Sequence, residues 1–182
     1  RGLHDPAPVR TFLRETSRTA PDGAIRALAR CAERRDRLET LHTLMAKVRE
    51  AIAYEIGASH AHTTAAEALA DKKGVCQDHA QVFISAARVL GLPARYVNGY
   101  FLSGTEAPSE AHHAWAEGWI EGLGWVGFDP ANGMSPTDRY VRLACGLDAA
   151  QAAPIRGTQR GGSREALDVL VEVEQHMAQQ QQ

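Results

Sequence analysis

An α+β fold follows from two features of the sequence. Helical periodicity and helix caps occupy the first half, up to Gly91, and strand alternation takes over from Ala94 onward. The second and third strand segments of that later half are joined by the short turn Glu121-Gly122-Leu123-Gly124, which makes them antiparallel. The expected architecture is a set of N-terminal helices packed on an antiparallel β-sheet, with Cys76 at a helix N-terminus.

The chain divides into an irregular N-terminal segment over 1–20, a core over 21–174 and a polar tail over 175–182. Pro6 and Pro8 lie in the irregular part. Thr19-Ala20-Pro21-Asp22 reads as a helix start with a Thr cap, an early Pro and an acid, and the helix runs to about Ala32. Leu38, Leu41, Leu44, Met45, Val48 and Ile52 recur at helical spacing and predict a longer helix from about Asp36 to Tyr54. Gly57 to Thr64 reads as a loop. Thr64-Ala65-Ala66-Glu67 has capping-box spacing and predicts a short helix through Ala70, ended by Lys72-Lys73-Gly74. A further helix starts near Cys76 and carries Phe83, Ile84, Ala87 and Leu90, with Gly91 as its cap and Pro93 as its stop. Strands are expected over Arg95–Tyr100, His113–Ile120 and Trp125–Asp129, with a polar loop from Ser103 to Glu110. Alternating Leu167, Val169, Val171 and Val173 predict a late strand.

Composition excludes several classes of function. A length of 182 residues supports one domain with a hydrophobic core, and 44% hydrophobic with 23% charged residues is ordinary for a soluble protein. A net charge of −2 gives no electrostatic reason to expect nucleic acid. No apolar run is long enough for a membrane span, and a signal-peptide pattern is missing at the start. These features point to a cytoplasmic protein, and the first residue, Arg1, suggests that the N-terminus is incomplete. Three separated cysteines (Cys31, Cys76, Cys145) argue against a disulfide framework. Cys31 and Cys145 read as inert small residues.

Cys76 is different. It stands in Gly74-Val75-Cys76-Gln77-Asp78, directly before an amphipathic helix. A thiol attacks carbonyls as its thiolate, which helix N-terminal amides and a nearby imidazolium favour. Gly74 allows tight backbone approach and leaves the Cys76 amide available as an oxyanion-hole donor. A histidine in Ala111-His112-His113-Ala114-Trp115 could serve as the base. Asp129 lies sixteen positions after His113, an even separation that lets the two share a sheet face across a hairpin centred near Glu121. His112 lies at an odd separation and needs a shifted register. For each residue a bland alternative stands beside this one: a buried small Cys76, a partly buried strand histidine, a turn-forming Asp129 before Pro130.

Four blocks occur in order: Gly74-Val75-Cys76-Gln77-Asp78, Leu90-Gly91-Leu92-Pro93-Ala94-Arg95-Tyr96-Val97-Asn98-Gly99-Tyr100, His113-Ala114-Trp115-Ala116-Glu117 and Gly124-Trp125-Val126-Gly127-Phe128-Asp129-Pro130. Together they resemble the core of bacterial transglutaminase-like proteins. The resemblance implies a papain-like fold and a Cys-His-Asp triad, with Cys76 matching the nucleophile, His113 the base in the family's His-x-Trp block and Asp129 the orienting acid. His112 becomes the flanking residue. It implies a thiol-dependent acyl-transfer enzyme acting on amide bonds of a protein or peptide substrate, by hydrolysis or by amine transfer, with no cofactor and no metal. Similar bacterial proteins often carry a β-rich segment ahead of this core.

Around the triad, Tyr54 is a second oxyanion-hole candidate, with a core tyrosine as the alternative. Trp115 and Gln77 are candidates for the substrate groove, although Trp115, Trp119 and Trp125 also suit the body of a sheet. Asp78 organises the nucleophile loop or is simply a first-turn acid. His60, His62 and His79 read as surface or loop histidines, and Arg34, Arg35 and Arg37 as a solvated helix face. A metal site built from Cys76, His79, His112 and His113 is disfavoured, because adjacent strand residues point to opposite faces. The remaining rival is a non-catalytic interaction module on the same fold.

Overall fold

The computed structural model describes residues 7–102 and 112–154. The expected polar loop over 103–110, the late strand and the polar tail lie outside the described residues.

Four helices precede the main sheet. α1 (Gly23–Ala32) turns Ile25, Ala29 and Ala32 inward at helical spacing. Its cap is Asp22, which accepts from the Ile25 amide at 2.8 Å, not Thr19. Thr19 is buried instead, and its hydroxyl accepts from Arg88 at 2.8 Å. In the segment expected to be irregular, a 3-10 turn over Val9–Leu13 buries Phe12.

α2 (Arg37–Ala51) starts at Asp36, which caps the Glu39 amide at 2.8 Å. It ends three residues short of Tyr54. The chain then extends, and β1 (Ala53–Tyr54) pairs in parallel with β2 (Lys73–Gly74). Ile52 is buried all the same, so its apolar side chain extended the helical pattern past the true helix end. α3 (Ala65–Asp71) has both halves of the Thr64/Glu67 capping box, and Lys72 ends it in the left-handed conformation.

α4 (Cys76–Val89) is the central helix, buried continuously from Asp78 to Arg88. Val75 has no capping side chain, so Asp78 reaches back from the first turn and accepts from the Val75 amide at 2.8 Å. Gly91, just past the end, has the positive φ expected of its place.

The main sheet is antiparallel, in the order β5-β4-β3-β6: β3 Ala94–Phe101, β4 His112–Ile120, β5 Gly124–Phe128 and β6 Tyr140–Gly146. One face, with Tyr96, Ala114, Ala116 and Phe128, joins the core built around α4, where Phe83 stacks on Phe128 at 5.3 Å between centroids. The other face carries His113, Trp115 and Glu117, the last paired with Arg95 at 2.6 Å and Arg142 at 3.1 Å. β6 was not expected from the sequence. Its apolar Val141 and Leu143 are exposed on an outer strand, so their alternation does not mark a core face.

Candidate active site

The nucleophile candidate is the first residue of α4. At that position the Cys76 N–H has no intrahelical acceptor and remains available to a ligand. The turn before it is crowded. A Cβ on Gly74 would stand 2.7 Å from Asp78 Cβ and Oδ2, so only glycine lets the chain pass that close. Asp78 also accepts from the Ser59 hydroxyl, tying the 55–64 loop to the same turn.

His113, the second residue of β4, is buried and turned toward Cys76. Its Nε2 bonds Asp129 Oδ2 at 2.7 Å. Cys76 acts on the same imidazole, and because Nε2 is taken by Asp129 the nitrogen left for the sulfur is Nδ1. Burial works against charge on this imidazole, but the hydrogen bonds and negative charge of Asp129 and Cys76 outweigh it and raise its pKa to about 9. An imidazolium therefore faces the thiol at neutral pH. His112 points the other way, exposed and beside the Tyr100 ring.

The hairpin register differs from the expected one. Ile120 pairs with Gly124 and Ala116 with Phe128, so the turn centres on Gly122 and not Glu121. Continued by one residue, that register sets Asp129 opposite Trp115 and diagonal to His113. Asp129 lies one residue beyond β5, in an isolated bridge to Met134. The shared face survives the shift, because a displacement of two residues preserves it.

Asp129 is completely buried. Its Oδ1 accepts from the amides of Ala131 (3.0 Å) and Asn132 (3.2 Å). Its Oδ2 accepts from His113, from Asn132 Nδ2 at 2.8 Å and from the Tyr140 hydroxyl at 2.7 Å. Burial opposes its charge, yet His113, Tyr140 and Asn132 hold its pKa below the ordinary carboxylate value. The sequence reading did not pick out Asn132 or Tyr140. Asn132 follows the Asp-Pro turn closely enough to have been suspected, whereas Tyr140 is brought in by β6.

The other candidates fare unevenly. Tyr54 is not a core residue: it is 54% exposed on β1, because that short pair lies at the surface. Partial burial and the charges of Cys76 and Asp129 raise its pKa, so its hydroxyl stays a donor beside the site. Trp115 is 2% exposed and cannot wall an open groove. It shares the face of His113 and is covered by the Tyr140 ring at 5.3 Å, a partner supplied by the strand that the sequence did not reveal. Gln77 is half-buried, its amide 3.4 Å from the His60 carbonyl. His79 is neither a surface nor a loop histidine. It is buried on α4, with Nδ1 2.9 Å from the Val75 carbonyl and Nε2 3.0 Å from that of Ile52, and so joins the Cys76 turn to the strand of Tyr54. Cys31 and Cys145 are exposed. Among the described residues no cluster could hold a metal ion, and no helix is long and apolar enough to cross a membrane.

Known proteins share this arrangement of elements. A candidate cysteine protease from Cytophaga hutchinsonii superposes with a TM-score of 0.68 at 28% identity, covering 80% of this chain and 49% of its own. The periplasmic domain of TgpA from Pseudomonas aeruginosa, at 24% identity, shares the fold with a TM-score of 0.54, over 69% of this chain and 49% of its own. An uncharacterized protein of Mycobacterium leprae is 33% identical over 130 residues, 69% of this chain and 46% of that protein. An uncharacterized protein of Mycobacterium tuberculosis is 33% identical over 153 residues, 77% of this chain and 48% of that protein. The chain thus spans about half the length of these curated relatives. The model of the transglutaminase-like superfamily, whose members typically carry out cysteine-based acyl transfer or peptide cleavage, matches residues 26–130. This chain belongs to the transglutaminase-like superfamily.

Proposed function

We propose that the protein is a thiol-dependent acyl-transfer enzyme acting on amide bonds of a protein or peptide. The observation that carries this reading is His113, hydrogen-bonded to Asp129 through Nε2 at 2.7 Å and raised in pKa by both Asp129 and Cys76, the first residue of α4. The Cys76 thiolate attacks the amide carbonyl carbon. Charge developing on the carbonyl oxygen is met by the Cys76 N–H and the Tyr54 hydroxyl. The tetrahedral intermediate collapses as His113 passes its proton from Nδ1 to the leaving amine, and a thioester remains on Cys76. Water or a second amine then attacks the thioester, giving its proton to His113, and the thiolate departs. Asp129 holds the imidazole in orientation and balances its charge throughout. Water as acceptor makes the protein a peptidase or amidase; an amine makes it a transglutaminase.

Trapping tests the reading directly. Incubation with a peptide library followed by rapid acid quench should leave an acyl mass on the peptide containing Cys76. Brief iodoacetamide treatment at mildly acidic pH should label Cys76 well ahead of Cys31 and Cys145. Both of those are exposed, so access gives Cys76 no advantage. Equal labelling of all three would remove the case for an activated thiol.

A further inference from the structure

We propose that Tyr140 is a positioning residue that shares the carboxylate charge of Asp129 with His113 and thereby sets how far into alkaline conditions the imidazolium persists. The inference rests on the Cys76-His113-Asp129 reading above and concerns the control of that same site.

The geometry makes Tyr140 an equal competitor for one oxygen. Asp129 Oδ2 accepts from His113 Nε2 at 2.7 Å and from the Tyr140 hydroxyl at 2.7 Å, with Asn132 Nδ2 at 2.8 Å. A carboxylate oxygen has lone-pair directions for about two good donors. Each further donor draws off part of the charge that would otherwise stabilise the imidazolium. Asn132 Nδ2 also lies 3.4 Å from His113 Nε2 and 3.5 Å from the Tyr140 oxygen, so the three groups crowd a single site.

The Tyr140 ring reinforces the contact. It packs at 5.9 Å from His113, 5.3 Å from Trp115 and 4.5 Å from Phe101, measured between centroids. That aromatic cover keeps water off the His113–Asp129 pair on the β6 side, so the phenol stands where a solvent donor would otherwise stand. Burial, then the bond to Asp129, holds the phenol protonated well beyond neutral pH. Among the described residues, the titratable groups facing the pair are Cys76 from α4, Tyr54 from β1 and Tyr140 from β6. Of these, Tyr140 alone donates a hydrogen bond to the carboxylate.

The test reads the His113 ring itself. Long-range proton–nitrogen NMR of nitrogen-15-labelled protein follows its titration, with the resonance assigned by its loss in His113→Ala. The wild-type midpoint is expected near pH 9. Tyr140→Phe keeps the ring and removes the hydroxyl, and should raise that midpoint by about 0.5–1 unit. Asn132→Ala removes a second donor from the same oxygen and should move it the same way. It carries the test alone if the Tyr140 variant does not fold. A residue that only fills space would lower the melting temperature and leave the midpoint in place. An unchanged or lowered midpoint in the folded variants overturns the proposal. A wild-type midpoint at the ordinary imidazole value, unaffected by Cys76→Ala, sinks the triad reading instead.

Discussion

In the proposed mechanism His113 meets Asp129 and Cys76 with two different ring nitrogens, and both demands can be probed by substitution. Cys76→Ala should abolish turnover with the fold retained, as a small residue replaces a small one. His113→Ala should lower turnover by about 10²–10⁴-fold. His112→Ala should keep most of the activity, because that side chain points away from the thiol. Rates on any turned-over peptide settle the choice: an inactive His112→Ala beside an active, folded His113→Ala would show that the wrong histidine was chosen. The pH dependence has a definite sign. His113 in the fold has a pKa of about 9, above its unfolded value of about 6.5. It therefore stabilises the fold fully below that unfolded value, and the contribution is lost as pH rises through 9. Urea unfolding of wild type and His113→Asn across this window should show the wild-type advantage shrinking with pH. Turnover should fall over the same alkaline range as the proton for the leaving amine is lost.

The start of α4 shows how an element positions the candidate nucleophile. Gly74, Val75 and Asp78 form one packed unit beside Cys76, and Gly74→Ala drives a Cβ to within 2.7 Å of the Asp78 side chain. Asp78 would have to release the Val75 amide and the Ser59 hydroxyl. The expected cost is about 1–3 kcal/mol in urea unfolding, with a loss of turnover beyond what stability explains. Equal turnover in a folded Gly74→Ala would show that the turn tolerates displacement. Helix starts at this scale were largely legible, because capping is local: Thr64 with Glu67 could be read directly, as could the break before Cys76. The end of α2 could not, since Ile52 buries equally well in helix and in extended chain. β6 escaped because its apolar residues face outward, and pairing with β3 is a long-range event with no local mark.

Distant segments of the molecule are tied together through Arg88, a buried cation on α4. Its guanidinium donates to the carbonyls of Phe12 (2.9 Å), Ala94 (2.9 Å) and Leu147 (2.8 Å) and to the Thr19 hydroxyl (2.8 Å). The N-terminal turn, the start of β3 and the exit from β6 thus meet at one side chain. Burial lowers its pKa to about 10 against the pull of Asp148 and Glu15, so it remains charged at neutral pH. Arg88→Met strips these acceptors of their donors and should cost about 3–5 kcal/mol in urea unfolding. A loss below about 1 kcal/mol would mean that water replaces the guanidinium easily.

The sequence by itself determined the fold class and most of the helix starts, although the first helix is capped by Asp22 and not Thr19, and it set the candidate residues Cys76, His113 and Asp129 in order. Each of these rests on local signals: period, cap residues and motif spacing. Parity places His113 and Asp129 on one face, and that face is shared even though the turn centre moved from Glu121 to Gly122, because a shift of two residues leaves the faces unchanged. Only the tertiary structure decided which groups surround Cys76, His113 and Asp129. Tyr140 and Trp115 meet at His113 through the pairing of β6 with β3, Tyr54 is exposed beside Cys76 through the pairing of β1 with β2, and His79 is buried between two backbone carbonyls. Those contacts join residues far apart in the chain, and their formation depends on how whole elements pack, which no local pattern of side chains encodes.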